Sequence, residues 1–324
     1  MITLQPITER NFLEVLHLRV KPEQQIFVAT AEGILARGYL YRNRRSRVWA
    51  IYADSRAVGL ALIYDLDEEP ACYHLCELLV DQAHQGKGYG QAALELLIRQ
   101  CRGEGKYPGI EVCVKKANVA AIHVYQKAGF CDTGYVDPDT PNSLCLAYPL
   151  PQKYQASLDI RLTGREDLSN VQRLWATPAV MRYVGFPEGL HETMEHLENN
   201  WLPWVQKPPL RQHWSIYDGG VYCGEAFYNV DETGLAAMDI KLLPEARGKG
   251  IAFAALSHAL SAAFSQGNAK RAYVDPNPEN RKALSLYAAL GFLPARRPAH
   301  LEDPGCPYVY LEMTRENWEA RHGD

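Results

Sequence analysis

The chain has 324 residues, about twice the size of a common single domain, so two domains are expected. Apolar residues make up 47% and charged residues 22%, which excludes the low-hydrophobicity composition of disordered chains. The 34 basic and 38 acidic side chains leave a net charge of −4, without the basic excess of a phosphate-backbone binder, so no nucleic-acid partner is expected.

The apolar run at 58–64 falls far short of the ~20 residues needed to cross a bilayer, and residues 1–10 lack the makeup of a signal peptide. No membrane association is expected, and the chain reads as cytoplasmic. Its eight cysteines, six of them before Tyr148, include no C-x-x-C pair and read as reduced, mostly buried thiols.

In chain order, Ile2–Pro6 reads as a strand and Thr8 opens a helix. The strand at 58–64 runs into an acidic loop of Asp65, Asp67, Glu68 and Glu69, material for attracting a cationic ligand or simply a solvated turn. A strand at Cys72–Val80 leads into the glycine-rich turn Gln85-Gly86-Lys87-Gly88-Tyr89-Gly90. Leu94, Leu97, Ile98 and Cys101 then mark one face of a helix. A second helix covers 118–127 and is stopped by Gly129. Pro149 and Pro151 break the pattern, giving domains at 1–150 and 158–324 joined by a linker at 151–157.

The same order begins again with a strand at Leu158–Leu162 and, in Thr163 with Glu166, the signature of a capping box. A strand at 236–243 precedes Arg247-Gly248-Lys249-Gly250-Ile251-Ala252, Leu256, Ala259, Leu260 and Ala263 repeat the apolar face, and the helix at 280–289 is stopped by Gly291. The two halves keep a gapless offset of 162 residues that pairs Asn118 with Asn280, Ala121 with Ala283, Tyr125 with Tyr287, Gly129-Phe130 with Gly291-Phe292 and Tyr148 with Tyr310.

A strand, a glycine turn and a helix start gather free backbone N–H groups and the positive end of the helix dipole around one small volume, which suits an anion such as a phosphate. Neither copy has the G-x-G-x-x-G of a dinucleotide fold or the G-x-x-x-x-G-K-[ST] of a P-loop. Both copies match the Q/R-x-x-G-x-G/A loop of the GCN5-related N-acetyltransferases, and both carry that family's Asn, Ala, Tyr and Gly-Phe at the right distances. Each half thus resembles the family over nearly its whole length. Residues 23–29 and the run from Val80 to Gly90 make the first half similar to bacterial polyamine or diamine acetyltransferases, with 23–29 in the second helix. Residues 178–185 and 243–250 make the second half similar to the ribosomal-protein type.

The resemblance implies an α/β (α+β) fold of two tandem acyl-CoA N-acyltransferase domains, each a mixed, mostly antiparallel sheet flanked by helices. It implies acetyl-CoA as co-substrate, held by Leu78, Leu79, Val80, Gln85, Gly86, Lys87, Gly88, Tyr89, Gly90 and Asn118 in the first half. In the second half the same places are Lys241, Leu242, Arg247, Gly248, Lys249, Gly250, Ile251, Ala252 and Asn280. Tyr125 and Tyr287 become the proton donors to the departing thiolate, against the alternative of core aromatics on an amphipathic helix. Glu77 and Asp239, at one register on the preceding strands, are the candidate bases that take a proton from the amine.

His191 and His196 resemble a zinc motif but stand one residue too far apart, and no metal is expected. Cys76, Cys131 and His123 show no ordered nucleophile pair, so the amine is expected to attack the thioester directly. The acceptor reads as a small polyamine-like amine, with Glu23 and Glu77 adding negative charge, or as a peptide amino terminus. A monomer or homodimer is expected. Open alternatives are an aminoglycoside-type antibiotic acetyltransferase, and a chain with one catalytic half and one half serving as scaffold or acyl-CoA sensor.

Overall fold

The computed structural model describes residues 1–67, 71–150, 158–302 and 307–322. Glu68, Glu69 and the expected linker at 151–157 lie outside the described residues. The chain divides into two compact units, Met1–Pro151 and Gln152–Asp324.

The first unit runs β1 (Ile2–Pro6), α1 (Phe12–Val15), α2 (Ala31–Leu40), β2 (Arg47–Ala53), β3 (Arg56–Leu66), β4 (Cys72–Val80), α3 (Tyr89–Glu104), β5 (Gly109–Lys115), α4 (Val119–Lys127), β6 (Cys131–Asp132) and β7 (Ser143–Pro149). Its sheet has the order β1-β2-β3-β4-β5-β7-β6, antiparallel except between β4 and β5. β3 is buried continuously from Ala57 to Asp65 because both sheet faces are covered. On one face Leu94, Leu97, Ile98 and Cys101 of α3 pack on Ile51, Ile63 and Leu75, as the helical spacing predicts. On the other, Val15, Ala31 and Ile34 pack on Ala50, Leu60, Leu62 and Leu79.

The second unit repeats this plan with β8 (Leu158–Leu162), α5 (Leu168–Trp175), α6 (Pro178–Met181), α7 (Met194–His196), a π-helical turn (Leu197–Trp201) and α8 (Leu202–Val205). β9 (Arg211–Asp218), β10 (Val221–Val230), β11 (Leu235–Leu242), α9 (Ile251–Ser265), β12 (Arg271–Val274), α10 (Arg281–Leu290), β13 (Leu293–Pro294), β14 (Leu311–Thr314) and α11 (Arg315–His322) complete it. The sheet order is β13-β14-β12-β11-β10-β9-β8, with β11 and β12 parallel. Leu256, Ala259, Leu260 and Ala263 of α9 are all fully buried, the apolar face expected from their spacing.

Four local expectations are corrected. Residues 23–29 are not in the second helix: Pro22–Gln24 is a single 3₁₀ turn, and α2 starts only after Thr30, whose hydroxyl accepts from the Gly33 N–H at 3.2 Å. Thr163 does not cap; the Gly164 N–H donates to Asp167 at 2.9 Å, while the buried Thr163 hydroxyl contacts His213 and Ser215, each at 2.8 Å. The third correction concerns the acids after 58–64. β3 extends through Asp65, which is 1% exposed and bonded to Arg45, Arg47 and Lys106, and Asp67 accepts from Lys106 and Tyr107. Asp65 is thus neutralised inside the fold, while Asp67, 71% exposed, joins the same cluster at the surface.

The fourth correction is to the gapless repeat. In β4, Glu77 stands opposite Leu62 and Leu75 opposite Ile63, so Cys76 is an extra, bulged residue, whereas Asp239 pairs with Phe227 in an unbroken ladder. Tyr148 stands opposite Ile110, but the residue opposite Ala272, the counterpart of Ile110, is Met313 and not Tyr310. Conserved spacing in the string thus conceals compensating changes in register.

Candidate functional site

The central parallel pair in each unit stays together only briefly. β4 and β5 are joined at Tyr73 with Ile110 and His74 with Glu111, and β11 and β12 at Leu235, Ala236 and Ala237 with Arg271, Ala272 and Tyr273. Past these pairs the strands part, leaving the far ends of β4 (Leu78, Leu79, Val80) and β11 (Lys241, Leu242) without a ladder partner on one side. Their backbone N–H and C=O groups are placed to pair with an extended ligand.

The glycine loops lie at the open ends of these gaps. Gly86 and Gly88 have φ of 76° and 78°, and Gly248 and Gly250 have 75° and 77°. Such angles favour glycine in all four places, and they turn successive backbone N–H groups toward one side. A Cβ on Gly86, Gly88 or Gly248 would meet nothing within 4 Å, so these glycines face open space rather than a packed neighbour. Gly88 and Gly250 are the N-caps of α3 and α9 and carry no side-chain cap, so the first-turn amides at Tyr89, Gly90, Ile251 and Ala252 remain available to an anion. Lys87 bends back to the Ala83 carbonyl at 3.2 Å, and Lys249 is exposed on the equivalent loop.

Gln85 and Arg247 brace the loops. Gln85 Nε2 donates to the Val80 carbonyl at 3.0 Å and to Gln24 Oε1 at 2.7 Å. Arg247 Nε donates to the matching Leu242 carbonyl at 3.2 Å, and its Nη2 to Leu242 at 3.1 Å and Ala179 at 2.9 Å. Each therefore ties the loop to the end of its strand and to the helical segment beside it.

Asn118 and Asn280 each cap a helix, the side chain accepting from the Ala121 N–H at 3.3 Å and from the Ala283 N–H at 3.2 Å. The capped helices α4 and α10 bury Tyr125 and Tyr287, which pack on Phe130 and Phe292 at 5.5 and 5.8 Å. Burial raises both phenols well above the usual tyrosine range, the charge of Glu77 adding to it for Tyr125 and those of Asp239 and Asp275 for Tyr287. Both tyrosines are thus protonated at neutral pH and lie within the field of the strand carboxylates.

Those carboxylates differ between units. Glu77 is 6% exposed, bonded to the Arg37 guanidinium and accepting from the Ala29 N–H at 3.2 Å. Burial raises its pKa, opposed by the Ala29 N–H and Arg37. Glu111, also buried and opposite His74 in the joined part of the pair, alternates on β5 with the core residues Ile110 and Val112 and so shares the face of Glu77. Asp239 is 40% exposed and ion-paired with Lys241, whose ammonium also reaches Glu225 Oε1 at 3.2 Å. Glu225, fully covered, receives Trp175 Nε1 at 2.9 Å and has His213 Nε2 at 3.3 Å. Burial opposes its charge, but Lys241 and His213 outweigh this and hold the carboxyl well below the usual range.

Arg37, Glu111, Glu225, His213 and Trp175 are the residues that sequence spacing did not single out. Their roles follow from which residues stand opposite one another across the sheet, as Glu225 does Lys241, and no local motif records that. Cys76 offers no nucleophile: burial, then the Glu77 charge, push its thiol up to about 11. His123 is exposed on α4. Among the described residues no group of three or more His, Cys, Asp or Glu side chains could hold a metal, and no helix is long and apolar enough to cross a membrane.

The acetyltransferase (GNAT) family profile matches residues 3–130, and an acetyltransferase (GNAT) domain profile matches residues 157–293. The chain is 27% identical over 144 residues to a spermine/spermidine N(1)-acetyltransferase of Bacillus subtilis (strain 168), covering 42% of this chain and 91% of that protein. Among solved structures it is similar to a spermidine N-acetyltransferase from Vibrio cholerae in complex with CoA and spermine, at 21% identity over 51% of this chain and 99% of the other, with a TM-score of 0.43. An aminoglycoside acetyltransferase in complex with coenzyme A matches at 20% identity over 52% of this chain and 100% of the other, with a TM-score of 0.43.

Proposed function

The chain belongs to the GNAT acetyltransferase family, with one domain of that family in each half, and from this premise we propose that the first unit moves an acetyl group from acetyl-CoA directly to a primary amine of a polyamine-like cation. The observation that carries the proposal is the buried Glu77 on β4 where β4 and β5 part, with a second buried carboxyl, Glu111 opposite His74, on the same face of the sheet. Two carboxyls suit a ligand with more than one ammonium group. The similarity to a spermine/spermidine acetyltransferase supports the same acceptor class.

The glycine loops supply N–H groups for the pyrophosphate of acetyl-CoA, and the unpaired edge of β4 around Leu78, Leu79 and Val80 suits its extended arm. The co-substrate supplies an activated thioester; the rest falls to this chain. Glu77, whose pKa burial raises above the ordinary Glu value, takes a proton from the ammonium so that the amine can attack. A backbone N–H at Leu79 or Val80 polarises the carbonyl. Tyr125 hands its proton to the departing thiolate while the attacking nitrogen, made cationic by the attack, gives its surplus proton back to the phenolate. The reaction belongs in the cytoplasm, where its thioester co-substrate is available.

The second unit keeps the loop geometry, with Arg247, Gly248, Lys249, Gly250 and the edge at Lys241 and Leu242 in the same places, so it also holds acetyl-CoA. Its acceptor differs. Lys241 neutralises Asp239, and aromatic rings gather nearby, Trp201 packing on Trp175 and Trp204 on Phe227, which stands opposite Asp239. These features suit a less cationic acceptor such as a peptide amino terminus, with Tyr287 as proton donor. A panel of spermidine, an aminoglycoside and a peptide with a free amino terminus separates these readings. Spermidine turnover abolished by Glu77→Gln supports the first-unit proposal, and turnover of the other acceptors alone refutes it.

A further inference from the structure

Cys113 and Cys145 stand directly opposite one another in the antiparallel pair of β5 and β7, with Sγ atoms 3.1 Å apart. Opposed residues in such a ladder have Cα atoms about 4.5–5.5 Å apart, within the range a disulfide spans. The two sulfurs need to approach by only about 1 Å to reach a bond length of roughly 2.05 Å. Cys113 is exposed and Cys145 is buried. The pair is not a demand of the fold, since the second unit has Asp275 at the repeat position of Cys113.

We infer that Cys113 and Cys145 form a reversible dithiol–disulfide site that hydroperoxides oxidise. Cys113, the accessible partner, attacks as the thiolate: a sulfur–oxygen bond forms, the peroxide O–O bond breaks, and the departing alkoxide takes up the proton the thiol released, leaving a sulfenic acid and an alcohol. The Cys145 thiolate then attacks the Cys113 sulfur, and the hydroxide it expels takes up the Cys145 proton as water. The two thiols together lose two electrons and two protons, and the hydroperoxide gains them. A dithiol reductant reverses the change by exchange. Of the other cysteines among the described residues, Cys72, Cys101, Cys131 and Cys223 are buried and Cys76 is half-buried.

The test treats the full chain with hydrogen peroxide, blocks remaining thiols with N-ethylmaleimide in denaturant, and maps the products by mass spectrometry without reduction. The expected result is one crosslinked peptide pair joining Cys113 to Cys145 within a single chain, two hydrogens lighter than the separate peptides, lost after dithiothreitol and absent from Cys113→Ser. Because Cys145 is buried, Cys145→Ala rather than a polar replacement serves as the reciprocal control, and in it Cys113 should progress to sulfinic acid. The inference is overturned if Cys113 of the unmutated chain is found as sulfinic acid or in a crosslink between chains while Cys145 is still alkylated, or if both thiols are alkylated as fully as before oxidation.

Discussion

Gly88→Ala and Gly90→Ala, two residues apart in one loop, should move stability in opposite directions. At φ 78° an alanine at position 88 enters the left-handed region, which costs about 1–2 kcal/mol. Its Cβ would meet nothing within 4 Å, so the cost is conformational and no clash adds to it. Gly90 lies within α3 without a left-handed φ, and a Cβ there would find Val80 Cγ2 at 3.5 Å, an ordinary contact. The second unit already has Ala252 in that place. Gly90→Ala should therefore stabilise by about 0.5 kcal/mol, by reducing the freedom of the unfolded chain. The two variants should differ by about 2 kcal/mol, or roughly 4–8 °C in the melting of a unit this size. Hydrogen exchange of the α3 amides, read by mass spectrometry in the full chain, isolates the first unit. Equal protection in Gly88→Ala and the unmutated chain, or equal damage from both substitutions, would refute the conformational argument.

Tyr125→Phe should lower spermidine turnover about 10²-fold or more with acetyl-CoA affinity nearly unchanged, because the ring still fills its place beside Phe130 while the proton is gone; unchanged turnover in steady-state assays removes Tyr125 from the reaction. Burial holds Glu77 above the ordinary Glu range, so in the window from that range up to its native value the folded chain binds more protons than the unfolded one. The stability of the first unit should accordingly fall as pH rises through that window, and Glu77→Gln should flatten the dependence in urea titrations at a series of pH values. In the second unit, Lys241→Leu installs what the first unit has in Leu79 but strips the covered Glu225 of its main counter-charge, at a cost of about 3–5 kcal/mol. Urea unfolding of this variant and of Lys241→Leu with Glu225→Leu checks the account, since the double substitution should recover much of the loss.

What the string of residues discloses is local geometry. Gly86 and Gly88 with their counterparts Gly248 and Gly250 were legible because backbone turned to positive φ favours the residue without a Cβ. Leu94, Leu97, Ile98 and Cys101 were legible because a helix face has a fixed period. Asn118 and Asn280 stood out as a signature, yet their caps on Ala121 and Ala283 emerge only from the coordinates. What was not legible depends on register between distant strands. The bulge at Cys76 aims Glu77 at Arg37 and Ala29, and its absence from β11 passes unnoticed in a gapless alignment of the halves. Thr163 looked like a cap because its spacing from Glu166 is right, but a buried hydroxyl facing His213 and Ser215 has better partners than a helix end. Asp65 looked like part of a solvated turn because Arg45, Arg47 and Lys106, which neutralise it, lie well away along the chain.

The central claim, that each unit holds acetyl-CoA on its own glycine loop, is tested most directly by calorimetric titration of the full chain with acetyl-CoA, repeated with Gly88→Glu and with Gly250→Glu. The account predicts two sites in the unmutated chain, one lost with each substitution while the other keeps its affinity. A single site unaffected by one of the two substitutions, or no binding at all, would contradict it.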